Sequence, residues 1–374
     1  MRRESIAALR ECLGQHLLLR KSRLESFCVL VVGVLLSRTV NLSHLAGTFP
    51  SRAEIASNYR RLQRFFEQVV LDSNQLARAV VRIAGIGSGP WLLALDRTCW
   101  KFGRRDLNIL MLAIVHNGIA IPVLWDVLDR AGNSTTAHRE ALLSRFCAVF
   151  GAGAIAGLIA DREFVGTAWM TFLAENDIPF ILRIKDVFQI RLADGRCCAV
   201  TSLFRKLTVG GRRYLRDDCR LGSRDSALGP PVRLSATRLA SKDLLVVATN
   251  TDPETALAHY RRRWEIETLF AATKTRGLNL EDTHLTRPDR VAKLIAVLAI
   301  TFSFAHAVGE WRAKHRPIII KKHGRKARSI FRSGFDLLRQ ILIQGQQDAV
   351  QCWNAIATGR PPTSERCRSS PKPA

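Results

Sequence analysis

A chain of 374 residues is long enough for two or three folding units at roughly 100–200 residues each. Hydrophobic residues make up 47%, which supplies a sizeable core and excludes wholesale disorder. With 57 Lys+Arg against 32 Asp+Glu the formal net charge is +25, which disfavours a purely small-molecule enzyme and points to a polyanion, either nucleic acid or an anionic membrane.

The most apolar runs, residues 27–36 and 294–308, are shorter than the ~20 residues that span a bilayer. The second carries His306 and is closed by Glu310. Both are expected to be buried core helices, and no membrane partner is expected. The opening MRRESIAALRECLGQ has no long apolar stretch, so no secretory signal is expected. The nine cysteines form no CxxC pair, which argues for free thiols in a reducing cytoplasm rather than a zinc ribbon or a disulfide framework.

In chain order, residues 1–85 read as helical, with no repeat at a solenoid period. Over residues 51–70, Ile55, Tyr59, Leu62, Phe65, Phe66 and Val69 recur at helical spacing. Ser51 is placed to cap that helix, with Glu54 three residues on. Its other face carries Arg60, Arg61 and Arg64, either a DNA-binding face or a solvated one; the overall charge favours DNA. GIGSGP (residues 85–90) reads as a linker.

The texture then changes. Apolar segments at 91–95, 107–115 and 119–124 predict three strands, the last two joined by an Asn117–Gly118 hairpin. A helix over 136–150, a strand over 155–160, a helix over 165–176 and a strand over 178–184 follow. The order is β-β-β-α-β-α-β, an α/β pattern. Residues 186–245, rich in Arg, Gly and Asp, read as a β-rich insertion. A strand over 244–249 and helices over 253–274 and 290–311 come next. From residue 312 onward there are 14 Lys+Arg against 3 Asp+Glu, including KKHGRKAR at 321–328, and the Pro/Ser-rich end is expected to be disordered.

Asp96 and Asp161 each follow directly on an apolar strand. Strand ends are where ligands gather in an α/β sheet. An unpaired buried carboxylate is costly, and a divalent cation is one possible partner. Mg²⁺ prefers carboxylate oxygens, and two such ions can activate a water and stabilise a leaving oxyanion on phosphorus. The plain alternative is that either Asp begins a loop or caps a helix. A third acid lies in HYRRRWEIETLFAATKTRG. Read as one helix, this puts Tyr260, Arg263, Glu267 and Lys274 within one broad stripe, unless it is an ordinary amphipathic helix with a charged face. Tyr, Arg and Lys all donate to phosphate oxygens.

Tyr260, Arg263, Glu267 and Lys274, together with LALDRT (93–98) and IADREF (159–164) in that order, resemble the signatures of the DDE transposases of bacterial insertion sequences. The signature resembles the YREK signature of the insertion-sequence-four family, which includes the Tn-five and Tn-ten transposases. The likeness runs over about residues 39–311. It implies a fold class of α/β type: an RNase H-like catalytic core (a mixed sheet with flanking helices) interrupted by the β-rich insertion at about 186–245. A helical N-terminal DNA-binding domain (1–88) would precede this catalytic domain (89–311), and a basic helical C-terminal region (312–374) would follow it. Asp96, Asp161 and Glu267 would be catalytic and hold a two-metal Mg²⁺ site, with Mn²⁺ as substitute. Tyr260, Arg263 and Lys274 would bind DNA phosphate, and Trp264 would stack near the distorted DNA end. The implied reaction is cut-and-paste transposition through a hairpin end. Its partners are double-stranded DNA (terminal inverted repeats and target) and a second copy in a homodimeric synaptic complex, on the nucleoid of a bacterial cytoplasm.

One departure stands out. Related proteins hold a flipped base with a Trp from the insertion, and here no Trp lies between Trp169 and Trp264; Phe188, Phe204 or Tyr214 are the substitutes in sequence. Arg162, beside the second Asp, would bind phosphate or pair with a carboxylate. Asp126, Asp129, Asn133 and Ser134 would approach DNA or brace the site, with Asn133 or Ser134 the expected cap of the next helix. His116 is expected to be a turn residue, and His138, His259 and His284 have no HxxxH or HxH partner. Two other readings remain at this point: a DNA-binding relative without catalysis, and an RNase H-like nuclease of another type.

Overall fold

The computed structural model describes residues 2–102, 105–128, 131–222, 228–274, 277–322, 324, 326–344, 351, 353 and 355. Helices α1 (Arg2–Gly14), α2 (Lys21–Ser37), α3 (Leu42–Ala46), α4 (Ile55–Gln68) and α5 (Ser73–Ala84) open the chain. The spacing in α4 buries Leu62, Phe65 and Phe66 as expected, but Ile55, at the first residue of the helix, is left 63% exposed and Tyr59 half-buried. The cap is not as expected: α4 starts at Ile55 without a side-chain cap, and the Ser51 hydroxyl instead donates to Asn58 Oδ1 (3.0 Å). Asp72 caps α5, accepting from the N–H groups of Asn74 and Gln75, and Gly85 ends it in the left-handed conformation.

Strands β1 (Trp91–Phe102), β2 (Arg105–His116) and β3 (Ile119–Leu128) form an antiparallel meander. The hairpin is as the residues dictate, with Asn117 and Gly118 at φ 49° and 89°, the positive values that a primed two-residue turn needs. The chain continues through α6 (Thr136–Phe150), β4 (Ile155–Ala160), α7 (Thr167–Glu175) and β5 (Phe180–Ile184). β4 pairs in parallel with both β1 and β5. The cap of α6 is Thr135, not Asn133 or Ser134; it forms a capping box with His138. Asn133 instead accepts from Arg97, and Ser134 from Arg139. Asp126 pairs with Arg145 at 2.8 Å, whereas Asp129 lies outside the described residues.

The insertion comprises β6 (Gln189–Arg191), β7 (Cys197–Ala199), α8 (Val200–Phe204), β8 (Arg212–Leu221) and β9 (Pro231–Arg238), followed by β10 (Leu244–Thr249). It does not stand apart. β10 pairs with β5, so the insertion extends one ten-stranded sheet in the order β3-β2-β1-β4-β5-β10-β9-β8-β6-β7.

Two faces of this sheet are covered. Trp91 on β1 packs edge-on against Phe146 and Phe150 of α6. Because side chains alternate along a strand, the even-numbered residues of β1 point the other way. That opposite face takes α9 (Pro253–Arg261), α10 (Trp264–Thr273) and α11 (Pro288–His315). The expected single helix over 253–274 is therefore two helices. Between them the N–H groups of Arg262, Arg263, Glu265 and Ile266 bond three residues back rather than four, a tight 3₁₀-like turn.

α11 is 28 residues long, longer than its apolar run suggested, and it meets the length and composition of a membrane span. Yet 83% of its most apolar window is buried inside the protein, as a core helix would be. α12 (Ile330–Gln344) crosses it closely: a Cβ on Gly334 would overlap the Ala305 carbonyl oxygen, and one on Gly309 that of Ile330. Phe331 stacks on Phe302 at 4.7 Å beside this crossing. The basic KKHGRKAR segment is described only in part, and residues 356–374 lie outside the described residues. Cys12, Cys28, Cys99, Cys147, Cys197, Cys198 and Cys219 are free thiols; Cys352 and Cys367 lie outside the described residues.

Candidate active site

Asp96 is not at the end of its strand. β1 continues to Phe102, because residues 97–102 keep pairing with β2. What ends at Leu95 is the parallel pairing with β4, whose last pair is Leu95↔Ala160. Asp96 and Asp161 are the next residues on these adjacent strands, which run about 4.8 Å apart. Each carboxylate accepts from the N–H of the residue after it, Arg97 or Arg162, at 2.7 Å. Glu267 comes from the first turn of α10, where the helix N-terminus favours an anion.

Arg263 joins these acids. It is 6% exposed, and its guanidinium donates to Asp96 Oδ2 (3.2 Å) and to Glu267 Oε1 (2.6 Å). Tyr260, on the last turn of α9, donates its hydroxyl to Asp161 Oδ1 (3.3 Å). The turn between the helices is what swings Arg263 inward between the two acids.

Burial is the main force on the Asp96 carboxyl and raises it from 3.8 to about 6; bonds from the Arg97 N–H and the Arg263 charge oppose it, and the charges of Glu163 and Asp161 add to it. Tyr260 is pushed up to about 12, first by burial and then by the Asp161 charge. For Arg263, burial alone would lower the value, but Tyr260 and the neighbouring acids outweigh it and keep the guanidinium charged.

The remaining predicted residues divide. Trp264 is 64% exposed, with the Arg263 guanidinium 5.3 Å from its ring. Arg162 is exposed beside Asp161. Lys274 lies at the C-terminal end of α10, donating to the Cys99 carbonyl (3.2 Å) and pairing with Glu281 (2.8 Å) over the Trp100 ring. It thus sits three residues along β1 from Asp96, about 10 Å at ~3.3 Å per residue. Arg60 and Arg64 are exposed. Arg61 is committed internally, to Ser26 (3.2 Å), Glu25 (3.8 Å) and the Phe49 ring. Of the three aromatic substitutes in the insertion, Phe204 is buried in the core at 2% exposure and cannot offer a face to a base. Phe188 and Tyr214 are half-buried against the core.

A family model described as a transposase DDE domain matches residues 87–304. The chain belongs to the DDE transposase domain family. Transposases cleave DNA and transfer it, and DDE members generally use divalent metal ions. No curated protein matches the chain in sequence. Among solved structures it is similar to a cryo-EM structure of a piggyBac transposase synaptic complex with hairpin DNA, at 12% identity and a TM-score of 0.44, over 92% of this chain and 75% of that one.

For a DDE transposase the donor set is suitable. Asp96 and Glu267 offer oxygen donors on either side of one buried guanidinium, and Asp161 follows the adjacent strand; oxygen donors of this kind are the type a hard divalent ion takes.

Several contributors were not singled out from the sequence. Arg97 grips Glu163 with two bonds of 3.1 Å and also reaches Asn108 and Asn133, which ties β1 to the turn after β4. Arg139 braces the same turn through the Glu163 carbonyl (3.1 Å). Arg183 on β5 stands 3.6 Å from Asp161. The one available signal was position: Arg97 and Glu163 each lie within two residues of a motif Asp.

Proposed function

We propose that this DDE transposase is of the insertion-sequence-four type and moves its own element by cut and paste. The observation that carries the reading is that Arg263 joins Asp96 of β1 to Glu267 of α10, while Asp161 follows the adjacent strand β4 and accepts from Tyr260. The strand order β3-β2-β1-β4-β5, with β2 antiparallel, supports an RNase H-like core.

Asp96, Asp161 and Glu267 are the residues that would hold Mg²⁺, or Mn²⁺ in its place. When bound, a pair of such ions lowers the pKa of a water and offsets charge on the leaving oxygen. Arg263 and Tyr260 supply donors beside the acids and bind the phosphate of the cleaved end, with Arg162 and Lys274 as flanking cations. Trp264 offers the exposed aromatic face on which the distorted end stacks, and release of the element proceeds through a hairpin. Residues 1–88 form the unit that binds the terminal repeats, with Arg60 and Arg64 on its exposed face. Residues 89–311 form the catalytic unit, and the basic region 312–374 adds sequence-independent hold on DNA. Two copies act together on paired ends, on the nucleoid.

The test uses purified protein and duplex DNA carrying the inverted repeats that flank the coding region. Asp96→Asn, Asp161→Asn and Glu267→Gln should each lose Mg²⁺-dependent nicking and keep end binding. Nicking that survives all three changes would sink the assignment. Absence of any product with the unaltered chain would favour a DNA-binding relative without catalysis, and preferential cutting of branched junctions would favour a nuclease of another type.

A further inference from the structure

We propose that His116, His306 and Glu310 form a binding site for a borderline divalent ion of the zinc class, separate from the acid cluster, that ties the β2–β3 hairpin to α11. The three side chains offer one donor atom each, all within 4.8 Å of one another. His116 Nε2 lies 2.9 Å and His306 Nε2 3.5 Å from Glu310 Oε1. Donors around a tetrahedral zinc, with bonds of ~2.0–2.1 Å, stand about 3.3 Å apart, so these two edges straddle the spacing required.

A second observation points the same way. His306 is 0% exposed; among the described residues its Nδ1 has no hydrogen-bond partner, and its Nε2 meets only the Glu310 carboxylate, at 3.5 Å and without hydrogen-bond geometry. A fully buried imidazole so weakly satisfied is an unfavourable arrangement unless something occupies its lone pair. Its Nε2 faces the Glu310 carboxylate and stands beside the His116 ring, whose centroid is 5.6 Å away. The Asn117 amide nitrogen lies 2.7 Å from Glu310 Oε1 and 3.0 Å from His116 Nε2, so it lines the same spot from the hairpin side and turns aside when an ion takes those two donors.

The elements explain the convergence. His306 and Glu310 are four residues apart and share one face of α11. His116 is the last residue of β2, at the hairpin. It lies five residues along β2 from Met111, the partner of Asp96, about 17 Å at ~3.4 Å per residue. An ion here therefore takes no part in chemistry at the acids. Two imidazoles and one carboxylate suit Zn²⁺, with Co²⁺ as a spectroscopic probe, and are a poor set for Mg²⁺, which seeks oxygen donors.

The experiment uses the full chain without a histidine tag, stripped with EDTA and titrated with Co²⁺ and then Zn²⁺. With Mg²⁺ present in excess to occupy the acids, the expected result is a visible absorption band that saturates at one Co²⁺ per chain and is displaced by one equivalent of Zn²⁺, and a Zn²⁺-dependent rise in melting temperature. His116→Ala, at a half-buried position, and Glu310→Gln should each weaken Zn²⁺ binding at least 100-fold and abolish the band, while Asp96→Asn should keep both. Melting in EDTA establishes that the two variants are folded. The proposal is overturned if no band forms, if His116→Ala and Glu310→Gln bind as the unaltered chain does, or if Asp96→Asn removes the site. In the first case the cluster is a plain histidine–carboxylate ion pair.

Discussion

Replacing Asp96 by Asn should make the metal-free protein more stable while ending strand cleavage. Asp96 is 15% exposed, and burial raises its carboxyl from 3.8 to about 6. At ~1.36 kcal/mol per pH unit, that displacement corresponds to a penalty of roughly 3 kcal/mol on the ionised form. Because the folded group binds its proton more readily than the unfolded one, the penalty is absent below pH ~4, grows as pH rises towards about 6, and is constant above. Asn carries no charge, keeps an oxygen that can accept from Arg263, and leaves Arg263 its bond to Glu267. With an unfolding entropy of ~2.1 cal/mol/K per residue, a 374-residue chain shifts by about 4 °C for 3 kcal/mol. Melting curves in EDTA at pH 4 and pH 8 give the readout: the Asn variant should melt about 4 °C above the unaltered chain at pH 8 and level with it at pH 4. Adding Mg²⁺ at pH 8 should raise the unaltered chain and leave the variant where it was. An Asn variant that melts at or below the unaltered chain at pH 8, or whose advantage is the same at pH 4, would refute the reasoning.

Removing the bridging cation with Arg263→Ala takes from Asp96 and Glu267 the guanidinium they share and should cost about 3–5 kcal/mol, a fall of roughly 4–6 °C by thermal melting in EDTA, part of which Mg²⁺ restores. Glu163→Gln weakens the two-bond grip of Arg97 at a site that is only partly buried; stability should fall by about 1–2 kcal/mol, with a larger proportional loss in single-turnover cleavage than in end binding. Trp264→Ala, at a 64% exposed position, should leave melting within about 0.5 kcal/mol and weaken binding of a distorted DNA end by ~1–3 kcal/mol, read by gel shift against intact duplex. Gly334→Ala forces α12 away from α11 and should lower the melting temperature by several degrees with no change in the acids, checked by the Mg²⁺ response of the variant.

Much of the fold was written locally. The Asn117–Gly118 turn, the apolar period of α4 and the strand runs at 155–160 and 244–249 depend on residues within a few positions of one another, so a one-dimensional reading reaches them. The three acids were also legible, because each sits in a distinctive run. The break at Arg262–Arg263 was not: nothing in HYRRRWEIE is a helix breaker, and the tight turn goes with the pull of Asp96 and Glu267 on one guanidinium. Nor was the joining of the insertion to the main sheet, which rests on β5 pairing with β10 some sixty residues later.

The sequence alone therefore determined which side chains are available: a strongly basic chain, an α/β order and three carboxylates in a recognisable series. Tertiary structure decided what each of them touches. It put Asp96 and Asp161 side by side through parallel pairing, set Arg97 on Glu163 and Arg183 near Asp161, turned Arg61 onto Ser26 and buried Phe204 in the core. It also brought His116 to a helix nearly two hundred residues away. The physical reason is range: propensity and turn chemistry act over a few residues, whereas burial and charge act between whatever surfaces the packed sheet and helices bring together.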